Sequence, residues 1–205
     1  MSIFVEPSEL RECYPMPGET VVRKVIDHID AHARNFIGLS PFCCIGTADA
    51  EGRLDVSPRG DVPGFVQVLD EHRLFLPDRR GNNRLDSMQN ILENPHIGML
   101  FFIPGFLDVL RVNGRASVAA PQELLEATAV EGKVPKAGLL VAAEEVFMHC
   151  GRAVKRGRLW DPEAQLPRSA LPRIGEVIRD QIGAETELGR KMNVNAEDVY
   201  LNQLY

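Results

Sequence analysis

The spacing of hydrophobic residues changes along the chain, and each change predicts a type of secondary structure. In residues 7–35, apolar positions such as Val21, Val25 and Ile29 recur at helical spacing with charged residues between them. Farther along, six segments show the alternation or the continuous apolar run of a strand: residues 41–48, 53–60, 65–69, 73–77, 96–103 and 107–118. Short turns containing Gly, Pro or Asp join most of them, so we expect antiparallel pairing.

Six antiparallel strands predict a closed or split β-barrel, which leaves no long strand edge exposed. The C-terminal third is mixed, with a helix expected near residues 121–128, a strand near residues 145–150 and one or two helices after Pro172. We therefore expect an α+β fold that is mainly β: a six-stranded antiparallel split barrel with N- and C-terminal helices. It should form a single domain, with a helical extension at 1–40, the barrel core at 41–120 and the mixed part at 121–205.

Charge and hydropathy bear on partners and location. The net charge of the 205 residues is −6 at pH 7, which argues against a nucleic acid or an anionic membrane as partner, because both require a basic surface. No apolar run approaches the roughly 20 residues of a membrane span, and the first residues lack the order of a signal peptide. We expect a cytoplasmic protein.

Cysteines and histidines give little sign of a metal site. The four cysteines fit no zinc-binding spacing, so we expect reduced thiols with structural roles: Cys13, Cys43, Cys44 and Cys150. His28 and His32 stand four positions apart on an expected helix, a spacing that can bind a metal ion. No third ligand is evident, and a solvated helix face is the favoured interpretation.

The clearest functional signal is the turn between the strand at residues 73–77 and the helix that follows. It holds Arg79, Arg80 and Arg84 together with Gly81-Asn82-Asn83. The free N–H groups of a turn, the positive end of a helix dipole and several guanidiniums are what a protein uses to hold a phosphate. The alternative is that these arginines are solvated turn residues.

The hairpin at residues 41–60 adds a second group of polar side chains. Ser57 and Arg59 fall on the face of the strand opposite Leu54, so a hydroxyl and a guanidinium can reach the same ligand. Alternatively, Arg59 pairs with Asp55 or Asp61 at the surface.

Two more basic features lie farther along the chain. Alternation on the strand at residues 107–118 places Leu110 in the core and Arg111 outside it. A second basic cluster includes Lys155 and Arg156 and stands close to Trp160; its alternative interpretation is a solvated helix face.

The order of these motifs resembles the flavin-binding split barrel of the pyridoxamine 5′-phosphate oxidase family. The resemblance covers about residues 40–120, and its parts are Ser57-Pro58-Arg59-Gly60, Leu76-Pro77-Asp78, Gly81-Asn82-Asn83-Arg84, Glu93-Asn94-Pro95 and residues 110–116. It implies a homodimer with FMN in the clefts between subunits. The phosphate-binding positions of the family fall on Ser57, Arg59, Asn82, Asn83 and Arg84.

The resemblance and the strand geometry together predict a set of FMN-binding residues. Backbone near Pro58 and Gly60 should approach the flavin edge, with Pro77 and Asp78 on the other side. A barrel this small cannot enclose FMN, so a partner subunit should complete the pocket, the alternative being a monomer. The expected residues are Ser57, Pro58, Arg59, Gly60, Pro77, Asp78, Arg79, Asn82, Asn83, Arg84, Arg111, Lys155, Arg156 and Trp160.

At several positions the chain differs from the oxidases of this family, so the resemblance favours FMN binding over the oxidation of pyridoxamine phosphate. The oxidases carry a basic pair where this chain has Asn83-Arg84, and a glutamine where it offers Val109 or Arg111. Residues 162–205 also lack the Arg-x-His that grips the vitamin substrate. We expect an FMN-dependent oxidoreductase acting on an unidentified small molecule. The alternatives are a non-catalytic FMN-binding or storage dimer, or a relative that uses haem or a deazaflavin.

Overall fold

A computed structural model describes residues 6–205, in which eight α-helices, two short 3-10 helices (Pro162–Ala164 and Arg168–Ala170) and seven strands are found. The strands are β1 Phe42–Ala48, β2 Leu54–Gly60, β3 Gln67–Val68, β4 Arg73–Pro77, β5 His96–Phe102, β6 Val109–Ala119 and β7 Gly138–His149. The helices are α1 Pro7–Cys13, α2 Glu19–Arg23, α3 Ala31–Leu39, α4 Asp86–Glu93, α5 Gln122–Ala127, α6 Arg152–Arg156, α7 Ile174–Ile182 and α8 Thr186–Asn202.

The strands form one antiparallel sheet in the order β2-β1-β5-β6-β7-β4-β3. The prediction of a mainly β, antiparallel α+β fold is confirmed, but the sheet has seven strands rather than six and is not closed. The additional strand is β7, of which the sequence indicated only the last part. It lies between β6 and β4 and pairs with both, which makes it central to the sheet.

The hydrophobic core lies on one side of this sheet, under α3 and α4. Phe101 is its largest fully buried side chain, whereas Phe75, which is also fully buried, lies outside this cluster. Ile37 of α3 and Ile91 of α4 join the same cluster, so both helices are held by their apolar faces. The Asp30 carboxylate caps α3 by accepting from the Ala33 amide at 2.7 Å.

The prediction of helix across residues 7–35 is wrong at residues 24–30, between α2 and α3. Helix α2 ends at Arg23, and Ile26 instead forms a backbone bridge with Val146, with N–O distances of 3.1 and 2.8 Å. Helix α3 begins only at Ala31, so His28 and His32 do not share a helix. Among residues 6–205 no group of three potential metal-ligating side chains is found.

The cysteines of the described chain differ widely in exposure. All four are free thiols; Cys13 and Cys150 are exposed, whereas Cys43 is fully buried in the core. Burial raises the pKa of Cys43 to about 12, which makes it a poor nucleophile at neutral pH. No helix within residues 6–205 is long and apolar enough to cross a bilayer.

The hairpin of β1 and β2 forms as predicted, and its orientation places polar groups inward. Leu54 and Val56 of the edge strand β2 are 77% and 75% exposed, whereas Asp55 and Ser57 on the other face are half-buried. The Asn90 side chain of α4 donates to Asp55 Oδ2 at 2.9 Å, and this bond ties the helix to the hairpin. The polar face of β2 and the start of α4 therefore border the same space.

Candidate functional site

That space is a cleft of about 940 Å³, bordered by β2, the end of β4, the turn after β4, the start of α4 and the loop before β7. Its volume falls in the range of small-molecule and cofactor sites. Ten of the fourteen residues expected from the sequence line it: Ser57, Pro58, Arg59, Gly60, Pro77, Asp78, Arg79, Asn82, Asn83 and Arg84.

Arg59 is the best-placed cation of the cleft. Its Nη1 donates to Asp78 Oδ1 at 3.2 Å, and its side chain is only 24% exposed. Its Nε is buried and finds no hydrogen-bond acceptor in the described chain. A buried donor without an acceptor is costly, so this N–H suits a ligand that supplies an anionic oxygen.

The alternative partners considered for Arg59 are engaged elsewhere. Asp55 accepts from Asn90, and Asp61 pairs with Arg79, so the alternative in which Arg59 pairs with one of them is wrong. The pair with Asp78 links the end of β2 to the end of β4. It therefore holds two walls of the cleft together.

The turn after β4 has an unusual backbone. Asn83 and Leu85 both lie in the left-handed region, with φ of 60° and 61°, and the Asn82 side chain accepts from the Arg84 amide at 3.1 Å. A leucine in this region is uncommon, and such strain clusters at ligand sites. Helix α4 begins at Asp86, and Leu85 is its N-cap residue.

The start of α4 carries both signs of charge. Arg84 Nε donates to Asp86 Oδ2 at 2.8 Å, and this bond raises the pKa of the Arg84 guanidinium. The Arg84 side chain is 72% exposed, so it is free to turn toward a ligand at small cost. The Asp86 and Ser87 amides at the start of α4 have no acceptor within the helix, whereas the Met88 amide donates to the Leu85 carbonyl at 2.9 Å. Ser87 itself is buried.

Arg79 lines the cleft, but other parts of the protein already accept from two of its nitrogens, Nε and Nη1. It pairs with Asp61, whose side chain is fully buried, and donates to the Thr128 carbonyl at 2.9 Å. Asp61 also accepts from Tyr205 Oη at 2.7 Å and from the Val62 amide at 2.7 Å. Burial raises the pKa of Asp61, but these hydrogen bonds and the Arg79 charge outweigh it and lower the pKa overall.

The other four expected residues do not line the cleft of the described protomer. Arg111 points away from the core, as predicted, with its guanidinium carbon 4.7 Å from the centre of the Phe147 ring. Its Nε is also buried without an acceptor in the part of the chain described here. Lys155 and Arg156 are exposed on the short helix α6, and Trp160 Nε1 donates to the Phe106 carbonyl at 2.7 Å.

The structure adds cleft residues that the sequence did not indicate. Lys133 and Lys136 come from the loop before β7, and Tyr205 comes from the segment after α8. The Lys133-Val134-Pro135-Lys136 segment is basic and contains a proline, which is the only local signal that it carries. Tyr205 is 144 positions from its partner Asp61, so no sequence pattern relates the two.

Comparison with known proteins gives a family and a set of similar folds. The family model for pyridoxamine 5′-phosphate oxidase matches residues 29–150, more than half of the chain. The search of curated proteins found no match to this chain.

Three solved structures illustrate the folds to which this chain is similar. HupZ of Group A Streptococcus is 21% identical, with 58% of this chain and 93% of that chain covered and a TM-score of 0.48. The haem storage protein HutZ of Vibrio cholerae is 14% identical, with 60% and 94% covered and a TM-score of 0.42. An FMN-binding protein of Syntrophomonas wolfei is 13% identical, with 56% and 79% covered and a TM-score of 0.41. Likenesses of this degree carry no information about ligand or activity.

Proposed function

The chain belongs to the pyridoxamine 5′-phosphate oxidase family, and on that premise we propose that it is a flavoprotein that binds FMN in the cleft and oxidises or reduces a small molecule. The observation that carries the proposal is Arg59, a residue that lines the cleft and whose buried Nε lacks an acceptor within the described chain. A phosphate or ribityl oxygen supplies the acceptor that the protein does not.

The cleft residues fit the parts of FMN. Donors for the phosphate come from the turn with left-handed Asn83 and Leu85, from the first amides of α4 and from the Arg84 guanidinium. Apolar surface from Pro58, Phe65 and several neighbours borders the same space and suits the ring system.

The role of the protein is to bind and orient. When bound, the flavin supplies two-electron redox chemistry. Each carboxylate that lines the cleft is already hydrogen-bonded within the described chain: Asp55 to Asn90, Asp78 to Arg59 and Asp86 to Arg84. We therefore assign these carboxylates to positioning, and the lining side chains to gripping the cofactor and excluding water from it.

The test of this proposal starts from the protein as purified. Its visible absorption, and chromatography of the small molecule released on denaturation, distinguish FMN from haem and from a deazaflavin. Release of FMN is expected. Anaerobic reduction by NAD(P)H and reoxidation by a panel of acceptors then separate an oxidoreductase from a storage protein, because a storage protein would exchange no electrons at a useful rate.

Arg84 is expected to contribute less to FMN affinity than its position in the Gly81-Asn82-Asn83-Arg84 motif implies. Because its side chain is 72% exposed and paired with Asp86, Arg84→Ala should raise the Kd for FMN by only about threefold. Fluorescence titration of FMN into the apoprotein measures this change. An effect of a hundredfold or more would show that Arg84 becomes buried on the phosphate.

We further propose that the site is completed in a homodimer, with FMN between the subunits. Two features support a partner surface: the apolar face of the edge strand β2, with Leu54 and Val56 exposed, and the buried Arg111 Nε without an acceptor in the described residues. Arg111, Lys155, Arg156 and Trp160 would then face the flavin of the other subunit.

Light scattering at micromolar protein should give twice the mass of the chain. Leu54→Lys places charge on the exposed face of β2 at a residue that does not line the cleft, and it should produce monomers with weakened FMN binding. The same change at the equally exposed Leu166, which also does not line the cleft, should leave mass and affinity unchanged. A monomer that binds FMN as tightly as the unmutated protein would contradict the shared site.

A further inference from the structure

Residues 203–205 follow α8, and Tyr205 among them lines the cleft. We name them the latch. Tyr205 Oη donates to Asp61 Oδ1 at 2.7 Å, the Tyr205 carbonyl accepts from Lys133 Nζ at 2.9 Å, and Gln203 Oε1 accepts from Arg80 Nη2 at 3.0 Å. These contacts join the latch to three separate parts of the chain. Tyr205, Lys133 and Arg80 all line the cleft.

These hydrogen bonds hold the latch against the rest of the protein, and few buried apolar contacts assist them. Helix α8, which carries it, buries only Gly189, and that residue packs against α7 rather than against the sheet. Tyr200, Leu201 and Leu204 are exposed by 68%, 79% and 58%. A segment with few buried apolar contacts opens at a much lower free energy than the core.

The Tyr205 hydroxyl is the best-anchored of the latch contacts. Its acceptor, Asp61, has a side chain with no exposure to solvent and is fixed by Arg79 and by the Val62 amide. The Tyr205 ring also lies 6.0 Å from the Arg79 guanidinium. By contrast, Lys133 and Arg80 meet the latch through exposed, flexible side chains, which an anionic ligand can draw away.

We propose that residues 203–205 are a latch that controls entry to and exit from the cleft, and that the Tyr205 hydroxyl bound to Asp61 keeps it closed. The identity of the ligand as FMN rests on the proposed function, whereas the movement of the latch does not. Ligand exchange proceeds through the open latch, so the rate constants of association and dissociation both scale with the fraction of molecules in which the latch is open.

Tyr205→Phe isolates the hydroxyl, because it keeps the ring beside Arg79 and leaves Asp61 its other partners. Loss of a hydrogen bond to a charged, buried acceptor should raise the open fraction about tenfold. In stopped-flow mixing of apoprotein with FMN, both rate constants should rise about tenfold with little change in Kd. The control is Tyr200→Phe, which changes an exposed residue of α8 and should leave both rate constants unchanged.

Other roles for Tyr205 give different results. A residue that only contacts the ligand would change dissociation alone, and a purely structural residue would lower the melting temperature without changing the rates; either result overturns the latch. Amide hydrogen exchange without added FMN supplies a second readout. It should be faster at residues 199–205 in Tyr205→Phe and not in Tyr200→Phe.

The two readouts separate the latch from the cofactor assignment. If the unmutated protein binds no FMN, the proposed function fails, and hydrogen exchange still decides the latch. Equal exchange at residues 199–205 in the unmutated protein and in Tyr205→Phe would overturn it.

Discussion

Arg59→Met is expected to raise the Kd for FMN about thirtyfold, which corresponds to about 2 kcal/mol. The guanidinium is only 24% exposed and carries a buried Nε without an acceptor in the described chain, so a bond from it to an anionic ligand forms away from water. Methionine keeps much of the volume and removes every donor. Fluorescence titration at constant ionic strength measures the change.

Arg53→Met is the matched control for Arg59. Arg53 lies just before the same strand, but its side chain is 77% exposed, pairs with Asp49 and does not line the cleft. The control should bind FMN with unchanged affinity. Equal effects of the two substitutions would show that charge near the hairpin, and not the buried guanidinium, governs binding.

Asp61→Asn is expected to lower the free energy of unfolding by about 3 kcal/mol at pH 7. The substitution leaves Arg79, whose side chain is 19% exposed, without its carboxylate partner, and removing one member of a buried ion pair costs about this much. Urea denaturation measures the loss. Arg79→Met in the Asp61→Asn background should recover part of it, because the unpaired charge is gone.

The same pair predicts a pH dependence. The pKa of Asp61 is lowered in the folded protein from its ordinary value of 3.8, so its stabilising effect is full above that value and is lost as the pH falls through the lowered pKa. The difference in unfolding free energy between the unmutated protein and Asp61→Asn should therefore be constant from pH 5 to pH 7 and shrink in stronger acid. A difference that grows on acidification would contradict the assigned direction.

Local patterns were enough to predict the hairpin of β1 and β2 and the strand-turn-helix at the cleft. Alternation placed Ser57 and Arg59 on one face, and turn chemistry placed Asn82 and Asn83 before a helix. Both patterns are local: the residues that form each pattern also form the strand, turn or helix that it predicts. For that reason ten expected residues meet in one cleft.

What the sequence did not show depends on contacts between distant segments. Glycine is required at position 138, the first residue of β7, because a Cβ there would lie 2.5 Å from the Phe75 ring, a constraint that only the folded sheet reveals. Ile26 was expected on a helix but pairs with Val146 in a β-bridge. The spacing of the apolar residues around it is compatible with a helix and with a strand. Tyr205 reaches Asp61 only because α7 and α8 fold back on each other.

Parallel titration of the apoprotein with FMN and with riboflavin tests the phosphate site most directly. The two ligands share the ring and the ribityl chain and differ only in the phosphate. If the turn after β4, the start of α4 and Arg59 hold that phosphate, FMN should bind about a hundredfold more tightly than riboflavin. Added salt should reduce the difference between the two affinities, because it screens the phosphate charge. Equal affinity for the two ligands, or no binding of FMN, would contradict the account.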